Sequence, residues 1–447
     1  MAAVAGMAHR RGSNPVTVLP GDTLLVVLVA VFVLAYLAIA LEHPIRINKS
    51  ASALLAAGLL WTVYAVAIGD PVRVGHELDE TVAATAQIIF FLMGAMTIVE
   101  VIDAHDGFEV ITSRIRTRKL TTLLVLISFI TFFLSAVLDN LTSTIVMVSL
   151  VRKLLDRQSD RLLFASMTVI AANAGGAWSP IGDVTTTMLW IGGRISATGI
   201  VEALFVASVV NLAMPLFVVA LRLRGQSFAF GPDAGASERP AFERNLMFTL
   251  GLAGLIFVPA FKQITHLPPF MGIVVALGVL WLAGEILHRN KRPETRERLT
   301  VAHALMRIDM SSIVFFLGIL LAVGTLEHAG ILAALANWLD RTIGRLDVIV
   351  GLLGLLSAVV DNVPLVAASI GMYDVAKYPV DSFLWEFIAY CAGTGGSILI
   401  IGSAAGVAAM GLERITFLWY LRKISWLALL GYICGAVVYI AQYRLMQ

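Results

Sequence analysis

The sequence predicts an all-α polytopic membrane protein of two inverted repeats, each holding a re-entrant helical hairpin and a broken transmembrane helix. Three observations carry that prediction. Of 447 residues, 59% are hydrophobic and only 14% charged, with a mean hydropathy of +0.87. Apolar stretches of about 17 to 25 residues, the length that crosses a bilayer, recur from end to end. One seven-residue stretch also occurs almost twice. Leu134-Ser135-Ala136-Val137-Leu138-Asp139-Asn140 returns 222 residues later as Leu356-Ser357-Ala358-Val359-Val360-Asp361-Asn362, identical at six of seven positions.

Candidate spans lie at 22–41, 50–69, 84–104 and 199–221, then at 244–264, 269–288, 309–327 and 421–443. Region 120–151 is apolar except for Asp139-Asn140. Its second arm, 141–151, reaches about 17 Å, roughly half the hydrocarbon thickness. It therefore reads as a re-entrant hairpin with Asp139-Asn140 at the tip. Region 346–373 repeats the pattern, with Asp361-Asn362 at its tip. Pro364 follows, where the first turn of a returning helix tolerates it.

Regions 162–193 and 383–412 read as broken helices. The first is interrupted by Asn173-Ala174-Gly175-Gly176-Ala177-Trp178-Ser179-Pro180-Ile181-Gly182-Asp183, and Gly, Ser, Pro and Asp at this density break a helix. The second carries Gly393-Thr394-Gly395-Gly396-Ser397 and Gly402-Ser403. An offset of 220 aligns Gly175-Gly176 with Gly395-Gly396 and Gly182 with Gly402. Non-helical backbone at membrane depth survives only where protein or a watery cavity satisfies it.

Each half then has an odd number of crossings, which inverts the second half relative to the first. Loop charges agree. Arg114, Arg116, Arg118 and Lys119, then Arg152, Lys153, Arg157 and Arg161, then the basic residues of 289–307 all fall on one side. The positive-inside rule makes that side cytoplasmic. Loop 70–80, with Asp70, Glu77, Asp79 and Glu80, falls outside. Arg10 and Arg11 run against the scheme, which puts the N-terminus outside. The organisation is an N-terminal tail (1–21), a first repeat (22–224), a linker (225–243) and a second repeat (244–447).

Composition also excludes classes. Net charge is +2 and the basic residues sit in short loops, so no nucleic acid partner is expected. Cys391 and Cys434 lie in apolar segments without paired histidines, which gives neither a disulfide framework nor a zinc site. Residues 1 to 20 have no apolar core, so no cleavable signal peptide is expected.

An ionisable side chain inside a membrane is costly and marks a functional site by default. Two at matching positions of two halves point to one shared site, as in carriers. Half-helix N-termini favour anions and unwound carbonyls favour cations, so the side chains decide. The first half offers Asp139, Asn140, Thr142, Asn173, Asp183, Thr185 and Thr186. The second offers Asp361, Asn362, Thr394, Ser397 and Ser403. All bear oxygen and three are carboxylates, which suits a hard cation such as sodium and repels an anion. Asp139, Asn140, Asp361 and Asn362 are the expected sodium ligands. Ser135 and Ser357, four residues before each tip Asp, share its helix face.

Plainer roles stand beside these. Asp139, Asp361 and Asp183 could each cap the helix that follows, although Asn would do so without a charge at depth. Ser135 and Ser357 could back-bond to their own helix. Asn173, Thr394 and Ser397 could satisfy only broken backbone. Glu100, Asp103, His105, Glu327 and His328 read as solvated segment ends, and Cys391 as a small packing residue.

Over roughly 80 to 445 the chain resembles the NhaD-type sodium/proton antiporters of the ion transporter superfamily. The resemblance is carried by Ser135 to Ser143, by Asn173 to Thr186 and by Ser357 to Pro364. The run Ser179-Pro180-Ile181-Gly182-Asp183-Val184-Thr185-Thr186 is its most specific part. Related dicarboxylate carriers have Ser-Asn-Thr at their hairpin tips, where this chain has Asp. The resemblance implies exchange of sodium, or lithium, for protons by elevator-like alternating access, with no cofactor. It further implies a homodimer in the plasma membrane, the inner membrane in bacteria, serving pH homeostasis and salt tolerance. The residues alone reach only a coupled carrier for a cation. Arsenite or organic-anion transport within the same superfamily is the alternative. An intramembrane aspartyl protease would use Gly182-Asp183 and Tyr373-Asp374, but their order is reversed and Ile181 stands where glycine is needed. A channel is disfavoured because mirrored broken helices suit alternating access.

Overall fold

The computed structural model describes residues 21–40, 42–112, 117–227, 240–359 and 361–446. Arg10, Arg11, Arg114, Arg116 and most of the expected linker lie outside them. Among the described residues every extended element is a helix, with one isolated antiparallel bridge between Lys119 and Ser227. Eight helices among the described residues are long and apolar enough to cross a membrane. The chain is a multi-pass membrane protein.

The expected spans appear as Gly21–Ala40, Lys49–Ile68, Pro71–Ala104, Ala197–Arg222, Ala241–Thr265, Pro269–His288, Met310–His328 and Ser425–Met446. Two differ from the sequence reading. The helix expected at 84–104 begins at Pro71 and runs 34 residues. The acidic stretch 70–80 is therefore mostly helix. Asp70 caps it by accepting from the N–H groups of Val72 and Arg73, Pro71 starts it, and Arg73–Glu77 and His76–Glu80 pair one turn apart. At 1.5 Å per residue it is about 51 Å long, roughly 20 Å more than the hydrocarbon core. The span expected at 421–443 is divided at Ile424 into Phe417–Lys423 and Ser425–Met446.

The hairpin regions contain Leu120–Leu138 with Asn140–Leu154, and Leu346–Leu356 with Asn362–Met372. By length alone Leu120–Leu138 could cross a membrane. Its ends fix where it lies. Leu120 N–H donates to Gln226 O at 3.1 Å and Thr121 Oγ1 to Leu223 O at 3.0 Å. Arg152, near the end of the returning arm, pairs with Glu413 at 3.3 Å, and Arg161 pairs with the same carboxylate at 3.2 Å. These contacts gather at one end of the bundle, where basic residues are dense.

At the opposite end Asp381 accepts from Ser196 N–H at 2.6 Å and Gln442 Nε2 donates to Glu202 O at 3.1 Å. Leu346, Phe383 and Tyr443 line one surface cavity there. The broken helix Gln158–Ala177 with Val184–Ile191 therefore leaves the basic end. The other, Phe383–Gly395 with Ala404–Glu413, returns to it. The hairpins enter from opposite ends.

Close packing between hairpins and breaks is paired in the same way. A Cβ on Gly175 would stand 2.1 Å from Phe132 O, and one on Gly395 would stand 2.0 Å from Gly354 O. No side chain fits either place, which is why glycine occupies both. Hairpins and broken helices pack on one another and on Ala197–Arg222 and Ser425–Met446. The remaining long helices form a second group around Lys49–Ile68, Pro71–Ala104 and Met310–His328.

Candidate functional site

Helix Val184–Ile191 starts where Gly182 lets the chain pass against the backbone of the first hairpin. Asp183 caps that helix with one carboxylate oxygen. Its Oδ1 accepts from Thr185 N–H at 2.9 Å and from Thr185 Oγ1 at 2.8 Å. The other oxygen turns outward from the cap. Asn140 Nδ2 reaches it at 2.6 Å from the first hairpin tip, and Asn362 Nδ2 at 3.4 Å from the second. One residue thus caps a helix and receives both hairpin tips.

Asn140 also donates to Asn173 Oδ1 at 2.9 Å. Asn173 Nδ2 then crosses to the other break, donating to Ser397 Oγ at 2.8 Å and Ser403 Oγ at 2.9 Å. Asp183, Asn140, Asn362, Asn173, Ser397 and Ser403 are all buried. The result is a connected polar centre in which every link joins a hairpin tip to a break or one break to the other. A buried network of this kind is worth building only if its members are satisfied.

The tip aspartates behave differently from each other. Both oxygens of Asp139 are held by Thr142, Oδ1 by its N–H at 2.7 Å and Oδ2 by its hydroxyl at 2.9 Å. Asp139 itself adopts φ 106° and ψ 161°, a region nearly restricted to glycine. Asp361 has an ordinary backbone, φ −48° and ψ 135°, and its Oδ2 lies 3.0 Å from Lys49 Nζ. Strain at Asp139 and an ion pair at Asp361 are two separate ways of holding a carboxylate at a helix tip.

A family model for citrate transporters matches residues 36–393. Sodium/proton antiporter 1 of Arabidopsis thaliana is 50% identical over 94% of this chain and 73% of its own length. The Na(+)/H(+) antiporter NhaD of Vibrio cholerae is 30% identical over 92% of this chain and 90% of its own. The chain belongs to the NhaD-type sodium/proton antiporter family. In fold it is similar to the YdaH transporter of Alcanivorax borkumensis, with a TM-score of 0.56 and 12% identity over 88% of this chain and 98% of that one.

In this NhaD-type chain the other expected site residues divide. Ser135 Oγ donates to Ala172 O at 2.6 Å and Ser357 Oγ to Ala392 O at 3.0 Å. Neither back-bonds within its own helix; each ties a hairpin to the neighbouring break. Thr186 Oγ1 donates to Asp183 O at 2.9 Å, and Thr394 Oγ1 back-bonds to Tyr390 O at 2.7 Å. Of the expected segment-end residues, Glu100 pairs with Arg307 at 2.8 Å. His105 is not a solvated end. It is buried, with its Nε2 3.3 Å from His288 Nε2. Lys49 was not singled out in the sequence because a lysine at the start of a helix, after the capping Asn48, reads as a solvated end.

Proposed function

We propose that this chain exchanges sodium for protons across the membrane by alternating access, with Asp183 and the tip residues as the shared site. The observation that carries the reading is the convergence of Asn140 and Asn362, from hairpins entering at opposite ends, on one buried carboxylate. A proton and a cation both neutralise that carboxylate and therefore compete for it. An Asn amide carries both donors and an acceptor, so a turn of its terminal group offers a neutral oxygen to a bound cation. Asp139 and Asp361 add charge at the two tips, and Asn173, Ser397 and Ser403 add neutral oxygens. Loaded with either ion, the centre is nearer to neutral and cheaper to move through a low-dielectric layer. By linkage, sodium binding releases protons and a high proton concentration weakens sodium binding.

The inverted-repeat organisation is part of this proposal, with repeats at 22–224 and 244–447. It is supported by the antiparallel broken helices and by the matched contacts of Ser135 with Ser357 and of Gly175 with Gly395. So is an elevator-like motion, in which hairpins and breaks move as one body against the second helix group. Lithium as a second cargo and a homodimer extend it from the family resemblance. Organic-anion transport is the second reading, favoured by the name of the matching family model. Three carboxylates in the region oppose a carboxylate substrate.

Purified protein in liposomes decides between them. Sodium or lithium added on one side should drive protons to that side, while potassium and citrate should not. Proton movement with citrate and none with sodium would reverse the assignment.

A further inference from the structure

Lys49 begins the helix Lys49–Ile68, which belongs to the second helix group and not to the hairpins and breaks. Its side chain nevertheless reaches the second hairpin tip. Nζ lies 3.0 Å from Asp361 Oδ2 and 4.4 Å from the centre of the Phe315 ring, on Met310–His328. The ring face is a good surface for an ammonium ion. Glu42 and Asp309 are the other charged groups that face Lys49, and Tyr36 faces Asp361. Asn48 fixes the start of the helix, capping Ser50 N–H at 2.8 Å and donating to Ser311 Oγ at 3.1 Å. The lysine is thus anchored on one group of helices while its charge sits on the other.

We propose that Lys49 is a tethered cation that occupies Asp361 whenever the transported cation does not. It stays charged throughout. When a cation binds, the ammonium withdraws along the Phe315 face and the link between the two helix groups opens. When the cation leaves, the link closes again. Lys49 is thus a positioning residue that sets how much sodium the carrier needs and holds the empty site in register. No counterpart is needed at Asp139, whose oxygens are already held by Thr142. The inference rests on the sodium/proton reading above.

The test uses full-length parental protein, Lys49→Gln and Lys49→Arg in liposomes, with sodium-driven proton movement measured over a sodium series. A competitor present about nine-tenths of the time raises the required ligand on the order of tenfold. Lys49→Gln should therefore reach half its maximal rate at about tenfold less sodium. Lys49→Arg should stay near the parent. An unchanged half-saturating sodium in Lys49→Gln, or an equal fall in Lys49→Arg, overturns the inference. If the parent exchanges and Lys49→Gln shows no shift, only the role of Lys49 fails. If the parent does not exchange, the sodium/proton reading fails and this inference with it. Where Lys49→Gln does not fold, the parent alone decides. Acylation of the Lys49 amine, read by mass spectrometry, should be greater in sodium chloride than in choline chloride. Equal labelling overturns the inference.

Discussion

Asn140 Nδ2 lies 2.6 Å from Asp183 Oδ2, across 43 residues of sequence. The second hairpin repeats the approach from the other half of the chain, Asn362 to the same carboxylate. Asn140 takes the oxygen that Thr185 leaves free, while Asn362 stands nearly equidistant from both oxygens, at 3.4 and 3.5 Å. The carboxylate is fixed in position by its cap, and its outward oxygen faces both hairpin tips.

Asp139 and Asp361 should respond oppositely to glycine. Asp139 holds a backbone geometry that costs a non-glycine residue about 1–3 kcal/mol, and glycine at a cap costs only a few tenths. Asp139→Gly should therefore raise thermal stability in detergent, while Asp361→Gly, with no strain to relieve, should lower it. Both should lose sodium-dependent proton movement. The melting temperatures and liposome rates of the two variants check this.

Much of this was legible in the sequence. An Asp-Asn pair in an apolar run is conspicuous, and its near repetition located both tips, while the glycine-rich blocks located both breaks. Convergence on Asp183 was not legible, since Asn362 and Asp183 meet across 179 residues. Spacing in the sequence shows the repetition of the tip residues but not the direction in which their side chains meet the breaks. The helical extension from Pro71 was missed because charges spaced one turn apart look like a solvated loop until their pairing is seen.

Gly175→Ala and Gly395→Ala should destabilise to a similar degree, since each new methyl meets a carbonyl oxygen at 2.1 or 2.0 Å. Overpacking of this kind costs typically about 1–3 kcal/mol. Gly58→Ala, with nothing within 4 Å, should be neutral or stabilising by up to about 1 kcal/mol. Thermal unfolding of the three variants ranks them, and a Gly395→Ala protein as stable as Gly58→Ala would contradict the close approach.

Ser135→Ala and Ser357→Ala each remove one hydrogen bond from hairpin to break, worth about 0.5–1.5 kcal/mol. Matched losses of stability with unchanged half-saturating sodium are expected. A raised sodium requirement in either would make that serine an ion ligand.

Sidedness follows from the ends that meet. Single cysteines at positions 291 and 340, in a chain lacking Cys391 and Cys434, should be labelled from opposite faces of the membrane, 291 from the cytoplasm. Labelling of both from one face would contradict the crossing pattern.

The shared site is tested most directly without any membrane. Purified protein in weakly buffered detergent receives sodium chloride, and the pH is followed. The parent should release protons, choline chloride should release none, and Asp183→Asn, which keeps size and capping ability, should release markedly fewer or none. Proton release from Asp183→Asn equal to that of the parent would place the exchange elsewhere and contradict the account.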